Sequence, residues 1–242
     1  MIRVENVSKW YGSTLAVDSV SFQISKGEIV GFLGPNGAGK TTVLKMLSTW
    51  LAPGTGAIRM NGHDVQREPL AVRRTVGYLP EHNALYEIMR VEDFLRFVGR
   101  LRGIVHERLG DRLQWVVEEC GLGEVVRKRI QECSKGNRQR VGLAAALIHD
   151  PPILLLDEPT HGLDPLQVSA FLDFLTGLRS GRAILFSSHI LGELVAVSDR
   201  LLIMVRGKLL ADVAVTELKD RAARDHKGLD ELILETVREG ER

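Results

Sequence analysis

The sequence predicts an α/β fold in a single large domain, on three observations. A glycine-rich loop joins a short apolar run at residues 29–33 to a helical run at 43–47. Two further apolar runs, 153–156 and 183–186, are short and unbroken, the form of central parallel strands covered on both faces. Helical stretches at about 166–178 and 191–197 lie between and after them, giving the alternation of strand and helix that builds such sheets.

The elements follow in order. Residues 2–33 and 56–79 read as a β-rich opening, with segments such as 20–24, 28–32, 57–60 and 75–79 broken by glycines. From 86 to about 129 the pattern becomes helical. Val91, Phe94, Leu95, Val98 and Leu101 recur at steps of three and four, then Leu113, Val116 and Val117. The expected organisation is a domain over 1–215 with a helical part inserted at about 85–150, then a short charged helical tail, 216–242. No repeat, low-complexity tract or long linker divides the chain.

Composition removes several classes of function. Acids and bases nearly cancel, at net +1 over 242 residues, so no bulk charge draws the chain to nucleic acid, and no nucleic-acid partner is expected. The longest apolar stretches, such as 153–156 and 201–205, fall far short of the ~20 residues a membrane-crossing helix needs. Met1-Ile2-Arg3-Val4-Glu5 carries an acid and lacks the apolar core of a secretion signal, so a cytoplasmic location is expected. Cys120 and Cys133 form no CxxC and no Cys/His cluster, which suits two reduced thiols.

Gly34-Pro35-Asn36-Gly37-Ala38-Gly39-Lys40-Thr41-Thr42 matches G-x-x-x-x-G-K-[ST], with the strand before it and the helix after it that the motif requires. The glycines allow backbone N–H groups to converge on an anion, and the following helix adds its positive dipole end. Lys40 is expected to reach the β and γ phosphates of a nucleotide, and the Thr41 hydroxyl to ligate Mg²⁺. A glycine-rich turn with a chance lysine would lack that strand and helix.

The apolar run at 153–156 ends in Asp157 and Glu158, placing two carboxylates at the carboxyl edge of the sheet, where nucleotides bind in α/β folds. Asp157 is expected to hold Mg²⁺, directly or through water. Glu158 is expected to polarise the water that attacks the γ-phosphorus. By themselves the two acids could equally cap a strand before Pro159, and with the loop they also suit kinases, GTPases and RecA-like motors.

Further residues narrow the choice. Cys133-Ser134-Lys135-Gly136-Asn137-Arg138-Gln139-Arg140-Val141 resembles the signature of ABC ATPases, L-S-G-G-Q-x-Q-R-V. Glu158-Pro159-Thr160-His161-Gly162-Leu163-Asp164-Pro165 resembles that family's D-loop, and Ser187-Ser188-His189 its switch histidine. The resemblance runs from Tyr11 to Gly207. Wording such as Gly77-Tyr78-Leu79-Pro80-Glu81-His82-Asn83 is most similar to exporter ATPases of the gliding-motility and multidrug type.

The resemblance implies a P-loop NTPase with a RecA-like mixed-sheet core, an N-terminal antiparallel β subdomain and an inserted helical subdomain. It implies an ATPase working as a sandwich of two chains, identical or sister, with ATP and Mg²⁺ as cofactors and a separate integral membrane permease as partner. The chain would then sit peripherally on the cytoplasmic face of the membrane and drive transport, export by subgroup. By the same resemblance Tyr11 stacks on adenine, His189 bonds a phosphate oxygen and links it to Glu158, and Ser134, Lys135, Gly136, Asn137 and Asp164 face nucleotide on the other chain. A soluble ABC-type ATPase acting on DNA or ribosomes is the alternative; such relatives carry paired ATPase domains or long inserts, which this sequence lacks.

The sequence departs from the family at three of these positions. Glu81 stands where the family has a metal-ligating glutamine; it keeps an oxygen for Mg²⁺ and loses the amide donor. Lys135 replaces a glycine and brings a cation towards phosphate, and Asn137 replaces a glutamine. Since Lys40, Asp157, Glu158 and His189 all stand, an active ATPase is expected. The arginines at 90, 96, 100, 102, 108 and 112 are read as a solvated face, whereas the apolar face of that helical stretch and the loop before it are expected to receive the permease.

Overall fold

The computed structural model describes residues 1–240, so the last two residues of the predicted tail lie outside the described residues. The chain opens with β1 (Ile2–Tyr11) and β2 (Thr14–Ile24), an antiparallel hairpin. Next come β3 (Ile29–Leu33), the helix α1 (Lys40–Leu47), β4 (Thr55–Met60), the two-residue β5 (His63–Asp64), α2 (Pro69–Thr75) and β6 (Val76–Leu79). The helices α3 (Val91–Leu101) and α4 (His106–Glu119) follow, then a 3₁₀ turn at Ile130–Glu132 and α5 (Lys135–Leu147). The chain returns to strands with β7 (Ile153–Asp157), α6 (Pro165–Leu178), β8 (Ala183–Ser188), α7 (Leu191–Val197), β9 (Arg200–Val205) and β10 (Lys208–Ala214), and closes with α8 (Val215–Asp225) and α9 (Leu229–Gly240).

Two sheets result. One is antiparallel, in the order β2-β1-β4-β5; the other has six strands, β10-β9-β3-β8-β7-β6, parallel except for the β9–β10 pair. Strands β3, β7 and β8 are buried throughout, as their unbroken apolar runs predict. Successive residues serve opposite cores. Val30, Phe32, Leu155 and Leu185 pack with α1 and the antiparallel sheet, while Ile29, Leu33, Leu154 and Phe186 pack with the helices of the other face. The α/β mixed-sheet fold expected from the sequence is therefore the fold observed.

Two local expectations are corrected, and one hairpin stands outside any of them. Residues 69–75, inside the stretch read as β, form a helix, because Pro69 presets φ in its first turn and needs no N–H partner there. The hairpin β9–β10 lies where the sequence predicts no particular element. Its turn, Arg206-Gly207, has φ of 47° and 84°, the left-handed pair that two-residue hairpin turns demand. Finally, Arg102 and Arg112 are no solvated face. Arg102 Nη1 donates to the Arg73 carbonyl, and Arg112 donates to the carbonyls of Leu147 and Ile148, capping the end of α5.

Helix α5 crosses β6 so closely that only glycine fits at position 77. A Cβ there would run into the Ala146 carbonyl and come 2.9 Å from Pro151 Cγ. Gly77→Ala is expected to destabilise the fold by about 1–3 kcal/mol, the usual range for forcing an extra methyl into a filled core. A urea midpoint equal to that of the wild type would contradict this packing.

Candidate nucleotide site

The phosphate loop turns between β3 and α1 at the carboxyl edge of the six-stranded sheet. Gly37 and Gly39 take φ of 79° and 104°, which side-chain-bearing residues rarely adopt. Gly39 is constrained twice, since a Cβ there would also come 2.6 Å from the Ala16 carbonyl of β2. Helix α1 begins at Lys40 with no side-chain cap, which leaves its first N–H groups for an anion. Lys40 is buried; its Nζ donates to the carbonyls of Gly34 at 2.5 Å and Pro35 at 3.3 Å and lies 3.6 Å from Glu158 Oε1.

Asp157 ends β7 fully buried. Its Oδ1 accepts from Ser187 Oγ at 2.8 Å, and Oδ2 has no partner among the described residues. Burial pushes the carboxyl pKa up, hydrogen bonds from Ser187 and Thr41 pull it down, and the charges of Glu81 and Glu158 push it up again. The next residue, Glu158, has φ of 47° and so turns its carboxylate away from the strand. Its N–H donates to Ser187 Oγ at 3.0 Å, its Oε2 lies 2.8 Å from His189 Nδ1, and its Oε1 has no hydrogen-bond partner among the described residues.

The loop lysine, both strand-end acids and the histidine thus meet in one place. Glu81 joins them at the rim, with its carboxylate 3.7 Å from His161 Nδ1 and its charge felt by Asp157. Asp157 Oδ2 and Glu158 Oε1 are buried and accept no hydrogen bond among the described residues, and the Thr41 hydroxyl reaches Asp157; carboxylate and hydroxyl oxygens are hard donors of the kind Mg²⁺ takes. A cleft of about 600 Å³ opens over Asn36, Glu158, His161 and His189.

Sequence reasoning missed two contributors. Ser187 binds Asp157 through its hydroxyl and receives the Glu158 N–H, a double role hidden in a residue that sequence shows only as a strand end. The Tyr78 hydroxyl is also buried near the acids; burial, then the charges of Asp157 and Glu81, raise its pKa. No pattern in the sequence singles it out.

The signature residues stand apart from this cluster, on α5. Ser134 is the N-cap, its Oγ accepting from Asn137 N at 3.2 Å, so the helix starts two residues before the expected Asn137. The Lys135 ammonium lies over Gly162 of its own chain, in space that only a glycine leaves. At Gly136 a Cβ would come 2.8 Å from Gln167 Oε1, the end of a side chain that can swing away. Asp164 N-caps α6 through Gln167 N at 2.9 Å. Gln139 Nε2 donates to the Pro159 carbonyl at 2.9 Å, tying α5 to the segment that follows Glu158. Trp10 packs on Gly54, and Tyr11 beside it is 48% exposed at the hairpin tip.

Among the described residues no helix is long and apolar enough to cross a membrane. The family described as ABC transporter matches residues 17–161. The daunorubicin resistance ATP-binding protein DrrA3 of Streptomyces coeruleorubidus is 38% identical over 225 residues, 93% of this chain and 71% of that protein. A solved structure of an ATP-binding subunit of an ABC transporter superposes with TM-score 0.89 at 30% identity, covering 98% of this chain and 99% of that one. A dimeric ATP-binding cassette in a post-hydrolysis state, bound to ADP and Pi, shares the fold, with TM-score 0.82 at 22% identity over 89% of this chain and 99% of that one. These likenesses favour a transporter subunit over a soluble ATPase acting on DNA or ribosomes. The chain belongs to the ABC transporter family, as an ATP-binding and ATP-hydrolysing subunit.

Proposed function

We propose that two such chains, identical or sister, close over ATP and pass the motion to an integral membrane permease that exports its cargo. The observation that carries the reading is Glu158, held 2.8 Å from His189 and 3.6 Å from Lys40. Lys40 and the N–H groups of residues 34–42 hold the phosphates, with Tyr11 against the adenine. Thr41, Asp157 and Glu81 hold Mg²⁺, which supplies charge neutralisation on the phosphate oxygens. Glu158 takes a proton from the attacking water, and His189 fixes Glu158 while donating to the γ-phosphate.

The other chain contributes Ser134, Gly136, Asn137 and Asp164; Lys135 joins them once its ammonium leaves Gly162. Two helix N-termini, one from each chain, then face the same phosphates. The working unit is a domain over 1–215 with its helical part at about 85–150, and the tail beyond. The chain sits peripherally on the cytoplasmic face of the membrane. A groove of about 630 Å³, with Trp50, Leu70 and Leu101 each more than two-thirds exposed along it, supports docking of a permease helix there. Export is favoured by the resistance protein to which the chain is similar.

Ser134→Arg tests the shared site. Nucleotide binding by the isolated chain is expected to persist, while turnover falls by about 10²-fold, as when one transition-state donor is lost. Wild-type turnover per chain should rise with protein concentration. Equal turnover at every concentration would overturn the sandwich.

A further inference from the structure

Strands β7 and β8 run side by side, with Asp157 opposite Ser187, and each hands a reacting group to the cleft immediately beyond its end. Glu158 comes from one strand and His189 from the other, and their 2.8 Å contact depends on how the two chain segments are held after the ladder stops. A third side chain spans that gap. Glu193, in the first turn of α7, is almost fully buried, and its Oε2 accepts from Thr160 Oγ1 at 2.7 Å and from Ser188 Oγ at 3.0 Å. Thr160 lies two residues after Glu158, and Ser188 directly precedes His189.

The arrangement is directional. Ser188 Oγ accepts the Ile190 N–H at 3.0 Å, so its single proton goes to Glu193. Thr160 and Ser188 are themselves buried, and a carboxylate placed there is tolerated because it receives two hydroxyl donors. Glu193 also lines the cleft that holds Glu158, His189 and Asn36. One oxygen atom therefore fixes the spacing of the two segments that carry the base and its histidine.

We propose that Glu193 is a positioning residue for ATP hydrolysis, a strut that holds Glu158 and His189 in register by binding Thr160 and Ser188 with one carboxylate oxygen. The proposal rests on the roles given above to Glu158 and His189, which Glu158→Gln tests separately. A strut acts on geometry at the reacting atoms rather than on nucleotide affinity, and small displacements there are costly.

The test is steady-state ATP hydrolysis by the purified chain carrying Glu193→Ala, Glu193→Gln, Thr160→Val or Ser188→Ala, with melting temperatures measured alongside. Glu193→Ala is expected to lower kcat by about 10-fold to 100-fold, with KM for ATP within about twofold of wild type. Glu193→Gln should recover most of the rate, since its amide oxygen still accepts from both hydroxyls. Thr160→Val and Ser188→Ala should each lose part of it, and neither should lower the rate further in the Glu193→Ala background. If Glu193→Ala does not fold, the remaining three variants decide: a glutamine variant no faster than the two hydroxyl deletions overturns the proposal. So does an unchanged kcat in Glu193→Ala, or a loss in which kcat, nucleotide affinity and melting temperature fall together. Full activity in Glu158→Gln would instead remove the base assignment and leave the strut without its object.

Discussion

Glu158→Gln is expected to abolish turnover while leaving ATP bound. General-base transfer contributes about 10²–10⁴-fold to rate, and the amide that replaces the carboxylate cannot take the proton. The geometry makes the loss specific. Glutamine keeps an oxygen for His189 and nearly the same volume in a buried position, so the fold should tolerate it. The charge is what disappears, and with it a repulsion towards the γ-phosphate and an attraction to Lys40 that competes with nucleotide. ATP should therefore hold the variant closed as a dimer more strongly than it holds the wild type. Phosphate release and light scattering, each with and without ATP, measure the two effects. A variant that hydrolyses normally, or that associates no better than wild type in ATP, would refute the role.

Lys40→Ala should weaken ATP binding by about 10-fold to 100-fold, the equivalent of losing about 1.5–3 kcal/mol in charge-assisted hydrogen bonds. The ammonium is buried beneath the loop and bonded to the carbonyls of Gly34 and Pro35, so the loop already holds it beside the place the phosphates take. Its removal leaves the loop's N–H groups intact, so some affinity remains. Calorimetric titration with ATP measures the change, and a melting curve separates it from damage to the loop. Undiminished affinity would contradict the cradle.

Much of this was legible in the sequence because the chemistry is local there. The loop from Gly34 to Thr42 reads as a contiguous pattern, and the buried strands announce themselves as unbroken apolar runs. What escaped was set by contacts between distant segments. Ser187 is 30 residues from Asp157, and nothing in its neighbours says that its hydroxyl serves two acids. Lys135 follows a signature serine, yet the empty space at Gly162, far along the chain, decides where its ammonium lies. Arg102 and Arg112 look like surface charges by periodicity and turn inward because helix and strand ends nearby expose carbonyls that need donors. The β9–β10 hairpin hid for a different reason: its turn is Arg-Gly rather than Asn-Gly, so the usual cue is half missing.

The bond from Gln139 to the Pro159 carbonyl has a consequence at the level of the pair. On the proposed pairing, helix α5 is what a chain would lend to its neighbour's nucleotide, and Pro159 follows the carboxylate it would use on its own. The bond ties the start of the lending helix to the segment behind the receiving carboxylate. If that pairing holds, a chain that presses its helix onto a neighbour's ATP pulls on the segment behind its own base in the same stroke, a direct route by which the two pockets of the pair would keep time.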